Sequence, residues 1–65
     1  MKIMLNGTST EVRAETLAGV LDELGYGDEK LATAVNERFV PAALREGTTL
    51  DPGDRIEVVT PRQGG

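Results

Sequence analysis

The sequence predicts an α+β fold in which one main helix packs on a mixed sheet of four to five strands. Short segments of alternating apolar residues occur near both ends of the chain. Two pairs of short strand-like segments are each separated by a turn that contains asparagine. One further stretch has its leucines at helical spacing. Because neither a single helix nor a one-sided sheet can bury its apolar side alone, the two are expected to pack together.

The N-terminal part of the chain predicts a β-hairpin. Residues 2–5 alternate in polarity, with Met4 on the face opposite its two apolar neighbours, as in a half-buried strand. The dipeptide Asn6-Gly7 is a strong hairpin signal, because both residues tolerate positive φ. A second strand is therefore expected at about residues 9–13.

One helix is predicted to follow this hairpin. Thr16 is a suitable N-cap, and Gly25 is expected to end the helix as its C-cap. Gly19, inside the helix, is expected to allow a close approach to the sheet. Apolar side chains recur at the spacing of one helix face; they are Leu17, Val20, Leu21 and Leu24.

A second hairpin is predicted after the helix. Residues 32–35 and 39–40 flank a turn at Asn36-Glu37, where glutamate in the second position indicates a looser hairpin than Asn-Gly would give. Pro41 is expected to close the outgoing strand, because proline supplies no N–H to a ladder. Residues 42–45 are expected to form a single helical turn.

The last predicted strand begins at Arg55. It follows a segment in which Pro52-Gly53 occupies the positions that a type II turn prefers. The order of hairpin, helix, hairpin and strand is that of the β-grasp, or ubiquitin-like, fold, whose final strand typically lies in the sheet centre, parallel to the first. Residues 1–60 are thus expected to form a single β-grasp domain, and residues 61–65 a flexible C-terminal tail.

Composition excludes several classes of function. The 65 residues include no Cys and no His, which removes disulfides, thiol nucleophiles, zinc sites and imidazole acid–base chemistry. The net charge of −4 disfavours nucleic acids and anionic membranes, and the N-terminal apolar run is too short for a signal peptide. The sequence predicts a cytoplasmic protein, monomeric when free, with no metal site, no bound cofactor and no catalysis of its own.

The C-terminal dipeptide Gly64-Gly65 suggests a different kind of chemical role. Without a Cβ atom, two glycines can pass through a channel too narrow for other residues. The five residues after Thr60 can extend about 17 Å beyond the folded body. This reach predicts delivery of the Gly65 carboxylate into the active site of another protein.

A candidate partner surface is predicted on the face of the sheet opposite the helix. The alternation along the first and last strands places Met4 and Val59 on this face, in two strands that are expected to lie side by side. Phe39 joins them if Val40 points inward. Exposed clusters of apolar side chains commonly mark partner sites, so we expect Met4, Phe39 and Val59 to meet an apolar partner surface with a basic rim.

Several short motifs occur together in this chain in a characteristic order. They are Leu5-Asn6-Gly7, Thr16-Leu17, Ala34-Val35-Asn36, Phe39-Val40-Pro41, Gly53-Asp54-Arg55-Ile56-Glu57 and Gln63-Gly64-Gly65. In their order, spacing and total length, the whole chain resembles the ThiS sulfur carriers of thiamine biosynthesis. It departs from the family at Glu37, where the family often has glycine.

The resemblance implies that this chain is a cosubstrate of other enzymes. A ThiF-type adenylyltransferase would use ATP to form an acyl adenylate at Gly65, and a sulfur donor would convert the adenylate to a thiocarboxylate. A ThiG-type thiazole synthase would then receive the sulfur. Gln63 and Gly64 would thread into the partner's active site together with Gly65.

Three other functions remain open from the sequence. A related carrier, of the MoaD type for molybdopterin or one serving cysteine or another product, would share the terminal chemistry. A ubiquitin-like modifier would instead be joined to lysine side chains. A plain interaction module of the same fold would not use its carboxylate, so deletion of Gly65 would change nothing.

Overall fold

The computed structural model describes residues 1–26 and 30–60. The predicted tail, residues 61–65, lies outside the described residues. The elements, in chain order, are β1 (Lys2–Leu5), β2 (Thr8–Glu11), α1 (Leu17–Glu23), β3 (Ala32–Val35), β4 (Arg38–Val40), a 3-10 helix (Ala42–Leu44) and β5 (Arg55–Val59). Each predicted element is present, and the second strand begins and ends earlier than expected.

The five strands form one mixed sheet in the order β2-β1-β5-β3-β4. Strands β1 and β5 are parallel, whereas the other neighbours are antiparallel. The last strand thus lies in the centre beside the first, which confirms the predicted β-grasp arrangement.

Both hairpins close through two-residue turns. Asn6 and Gly7 have φ values of 49° and 84°, as expected for a type I′ turn. Asn36 and Glu37 have φ values of 50° and 73°, and Val35 pairs directly with the first residue of β4. The second hairpin is as tight as the first, so the expectation of a looser turn at Glu37 was wrong.

The tight second turn is explained by its bonds to the central strand. The Asn36 amide N–H donates to the Arg55 carbonyl at 2.7 Å, and the Arg55 N–H donates to Asn36 Oδ1 at 2.9 Å. These bonds, together with the pairing of β3 on both sides, hold Glu37 in a left-handed conformation that a non-glycine residue adopts at a cost.

The helix begins and ends where the sequence predicts. Thr16 Oγ1 accepts from the Gly19 N–H at 3.1 Å, which is the bond of an N-cap. At the other end Gly25 has a φ of 88° and donates to the Asp22 carbonyl at 3.1 Å, while the Tyr26 N–H donates to the Leu21 carbonyl at 2.9 Å. This pair of bonds is a Schellman motif.

Gly19 has a different role from the one predicted. A Cβ atom at this position would lie 2.9 Å from Ala14 Cβ and 3.1 Å from Thr16 Oγ1. The close neighbour of Gly19 is thus the segment that leads into the helix, and the expectation of a close approach to the sheet was wrong. The chain folds back between β2 and α1, which sequence periodicity does not reveal.

The core lies between α1 and one face of the sheet. Three of its residues come from the buried face of the helix, and two others, Val12 and Leu50, come from connections between elements. The buried apolar residues are Ile3, Val12, Leu17, Val20, Leu21, Val40, Leu50, Ile56 and Val58.

Glu23 ties the end of the helix to the connection between β2 and α1. Both of its carboxylate oxygens accept from the Arg13 N–H at 3.0 Å, and Oε1 also accepts from the Ala14 N–H at 3.0 Å. The hydrogen bond from Ala14, followed by that from Arg13, lowers the pKa of Glu23 below its usual value, because these bonds favour the charged form.

The lowered pKa predicts that Glu23 stabilises the fold only while it is ionised. Its contribution is complete above the unfolded-state value near 4.5 and is lost as the pH falls through the lower folded-state pKa. In urea unfolding, Glu23→Gln should therefore be less stable than the wild type at pH 7, and the difference should shrink on acidification below pH 4.5. The exposed Glu46→Gln serves as the control, and an equal pH-dependent loss in both variants would contradict this role.

The left-handed conformation of Glu37 predicts that Glu37→Gly stabilises the protein. Removing a cost of about 1–2 kcal/mol for a non-glycine residue at positive φ outweighs the extra unfolded-state entropy of glycine, about 0.5–1 kcal/mol. The ion pair that Glu37 forms with Arg55 at 3.8 Å is exposed and contributes little. Thermal unfolding should show a net gain of about 0.5–1 kcal/mol, whereas Arg38→Gly, inside β4, should destabilise.

Candidate functional site

The chain leaves the sheet through its central strand. β5 pairs with β1 on one side and with β3 on the other, where the pairing extends to Val59 opposite Ala32. Thr60, the next residue, is the last before the predicted tail. Gln63, Gly64 and Gly65, the residues predicted to enter a partner, lie outside the described residues, so the structure gives the point from which they depart.

Alternation along β5 separates a buried face from an open face. Ile56 is fully buried and Val58 is 7% exposed, whereas Val59 is 63% exposed. The inward and outward residues are those that the sequence predicted. The face of β5 that carries Val59 is turned away from the helix.

An apolar cluster occupies one part of this open face. Val59 pairs with Ala32, and Phe39, which is 68% exposed, pairs with Ala34. Ala32 and Ala34 are two residues apart on β3 and so point to the same face. We call these four residues, Ala32, Ala34, Phe39 and Val59, the open-face patch.

Met4 shares the open face but lies outside this patch. Its partner on the central strand is Arg55, and Val59 lies four residues further along, a distance of about 13 Å at the rise of a strand. Met4 is also only partly exposed. Met4 is therefore separated from Phe39 and Val59, with which it was expected to form one cluster. The reason is that the parallel register of β1 aligns Met4 with the start of β5 and not with its end.

Charged residues border the patch along the central strand. Glu57 is exposed on the same face and pairs with Ala34. Arg55 follows two residues away on that face and forms an exposed ion pair with Glu37. The border of the patch thus carries both signs of charge, with the carboxylate of Glu57 nearest to it.

Sequence reasoning missed the role of two asparagines in holding the central strand. Asn6 and Asn36 were interpreted only as turn residues, yet the side chain of each bonds to β5. Asn6 bonds to the main chain of Val58, and Asn36 to that of Arg55. The signal in the sequence was the recurrence of asparagine at the first position of both hairpin turns.

An open groove lies on the helix side of the sheet, between α1 and the 3-10 helix. Its volume is about 470 Å³, and Arg45 is among the residues that line it. The guanidinium of Arg45 is committed to the fold, since it donates to the Leu31 carbonyl at 2.7 Å and to Thr33 Oγ1 at 3.1 Å. This groove therefore does not present Arg45 as an anion ligand.

The described residues form neither a cluster of metal ligands nor a membrane-spanning helix. Across residues 1–26 and 30–60, no group of three or more acidic side chains comes together in a way that would hold a metal ion. In the same part of the chain, no helix has the length and apolar character needed to cross a membrane.

The family model that matches this chain is that of the ThiS family, over residues 3–65. The chain belongs to the ThiS family. The match covers both the sheet and the glycine dipeptide after it, so the open-face patch and the predicted tail fall within one family domain.

A solved ThiS structure has the same fold. The chain is similar to the thiamine biosynthesis protein (ThiS) from Geobacter metallireducens, with 25% sequence identity, a TM-score of 0.81 and full coverage of both chains. Among curated proteins, none matches this chain. The solved structure confirms the β-grasp fold of this ThiS family member.

The two faces of β5 predict opposite outcomes for aspartate substitutions. Ile56→Asp should unfold the domain, because it buries an unpaired charge in the core. Val59→Asp, on the open face, should change stability by no more than about 0.5 kcal/mol. Circular dichroism and thermal unfolding test both variants, and a folded Ile56→Asp protein would contradict the assignment of the faces.

Proposed function

We propose that this chain is a sulfur carrier of thiamine biosynthesis that is adenylated and then thiocarboxylated at Gly65. The observation that carries the proposal is the ThiS family match, which extends to Gly65. In addition, the last residues of the chain follow a central strand that is paired on both sides. The solved relative is itself described as a thiamine biosynthesis protein. The match favours a ThiS carrier over a MoaD-type carrier, a protein modifier or an inert module.

The proposed chemistry takes place on the main chain. An oxygen of the Gly65 carboxylate attacks the α-phosphorus of ATP, and pyrophosphate leaves to give an acyl adenylate. Hydrosulfide supplied by the donor then attacks the acyl carbon, the bond to AMP breaks, and the product is a terminal thiocarboxylate. Because the sulfur is held at the chain terminus, a carrier that has no Cys is sufficient.

The enzymes in this scheme are the partners. A ThiF-type adenylyltransferase binds ATP and forms the acyl adenylate, and a ThiG-type thiazole synthase uses the thiocarboxylate as its sulfur source. The adenylate is sensitive to hydrolysis, so it forms inside the partner, where water is excluded. The carrier is a cosubstrate with no catalytic residue and no bound cofactor, and the proposed reaction takes place in the cytoplasm.

The open face of the sheet is the proposed docking surface. Phe39 and Val59 are the large exposed side chains of the open-face patch, and Met4 lies further along the same face. Aromatic residues and methionine are enriched in protein interfaces, and a few well-packed side chains near the centre carry most of the affinity. The patch also ends at Val59, one residue before Thr60, so a partner that covers it meets the point where the predicted tail departs.

Terminal thiocarboxylation predicts a specific change in mass. Incubated with a ThiF-type enzyme, ATP and a sulfur source, the chain should gain the mass of one oxygen-to-sulfur exchange, and fragmentation should localise it to Gly65. Appending one residue after Gly65 should abolish the gain, because the carboxylate is then displaced from the reacting position. A gain that survives this extension would falsify the proposal.

The docking surface predicts which substitutions weaken adenylation. Val59→Asp and Phe39→Asp should each raise the KM for the carrier at least tenfold, since a charge at the centre of an apolar interface costs about 1.4 kcal/mol or more. Leu44→Asp is a matched control, because Leu44 is also exposed, at 58%, but belongs to the 3-10 helix on the other side of the sheet. An equal effect of all three variants, or none, would show that partners dock elsewhere.

A further inference from the structure

At its C-terminal end, the central strand β5 continues beyond the last main-chain hydrogen bond that it receives from the β1 side. On the β1 side, the Met4 N–H donates to the Asp54 carbonyl at 3.0 Å, and the Asn6 N–H donates to the Ile56 carbonyl at 2.9 Å. The next residue of β5 that faces β1 is Val58, because facing residues alternate. By then the chain has left β1 and has entered the turn at Asn6.

The side chain of Asn6 takes the place of the missing strand residue. Its Nδ2 donates to the Val58 carbonyl at 3.2 Å, and its Oδ1 accepts from the Val58 N–H at 2.9 Å. A carboxamide presents the same donor and acceptor as a peptide unit. The ladder of β5 is thus continued by one residue on this side, and both main-chain groups of the nearly buried Val58 are bonded.

With the Asn6 side chain bonded to Val58, β5 is held on both sides close to its C-terminal end. On the other side β3 pairs with Val59, so with Asn6 in place the strand is held from both sides almost up to Thr60. Without the amide, only β3 would hold this end. We propose that Asn6 is a positioning residue for the Gly65 carboxylate, acting through the end of β5; this inference rests on the proposed function.

The consequence for delivery follows from chain length. If the strand end frays from Val58, the tail predicted for residues 61–65 lengthens from five residues to eight (58–65). For a flexible segment, the effective concentration of its end falls roughly as the −3/2 power of its length, which is about twofold here. Complete fraying also removes the starting direction set by the strand, so a fully frayed end should lose at least twofold.

The chain contains a closely matched control at the opposite end of the same strand. Asn36 has a φ of 50°, Asn6 one of 49°, and each occupies the first position of a two-residue turn. Asn36 also makes two side-chain bonds, accepting from the Arg55 N–H at 2.9 Å and donating to Asp54 Oδ1 at 3.1 Å. Glycine suits both turns, so Asn6→Gly and Asn36→Gly remove the same amide from the two ends of β5.

The first measurement is hydrogen exchange at single amides by NMR. In Asn6→Gly, the Val58 N–H should exchange at least tenfold faster than in the wild type, because it loses its acceptor. In Asn36→Gly, the Val58 N–H should remain protected, and the Arg55 N–H should exchange faster instead. Unchanged protection of Val58 in Asn6→Gly would overturn the proposal.

The second measurement is adenylation kinetics with a ThiF-type enzyme. At saturating carrier, Asn6→Gly should lower kcat about twofold relative to Asn36→Gly, and the KM for the carrier should rise with it, because Val59 of the docking face lies in the frayed segment. The assays use a temperature at which both variants are fully folded, so equal kcat values would overturn the positioning role. If the wild type itself is not adenylated, the proposed function fails, and the exchange result alone then decides whether Asn6 holds the strand.

Discussion

The pairing of the last strand with both the first strand and β3 is the interaction on which the rest of the structure depends. β5 lies in the sheet centre and joins the two hairpins, which are separated in sequence by the helix. Each hairpin is a local unit, and two-stranded units are marginally stable by themselves. Only when β5 is inserted do they form one surface on which the helix can pack.

The same strand serves two needs because its side chains alternate. Ile56 and Val58 enter the core, while Val59 is exposed beside the small residues of β3. The stability of the fold and the proposed recognition of a partner therefore depend on neighbouring residues of one strand but on opposite faces. A surface built in this way can change without loss of the core.

Polar side chains form hydrogen bonds with main-chain groups that the strands and the helix leave unpaired at their ends. Asn6 and Asn36 bond to the two ends of β5, and Glu23 bonds to the main chain before the helix. Each polar side chain satisfies main-chain groups at a place where a regular element stops. In a chain of 65 residues the core is small, so such bonds at element ends help to define a single arrangement.

The sequence by itself determined the elements, their order and the faces of the strands. Asn6-Gly7, the leucine spacing of the helix and the alternation in β5 are local signals, and each was interpreted correctly because it depends on near neighbours. The ThiS resemblance likewise came from motifs that can be read along the chain, and the family match confirmed it.

Only the tertiary structure decided what depends on register and on contacts between distant segments. The parallel alignment of β1 with β5 separates Met4 from Val59, and a bond in which the Arg55 N–H donates to Asn36 Oδ1 helps to hold Glu37 in a tight turn. Alternation fixes which face of the sheet a residue occupies but not the register, that is, which residue of the neighbouring strand it pairs with. The register is set by long-range hydrogen bonds and by core packing, which local sequence patterns do not record.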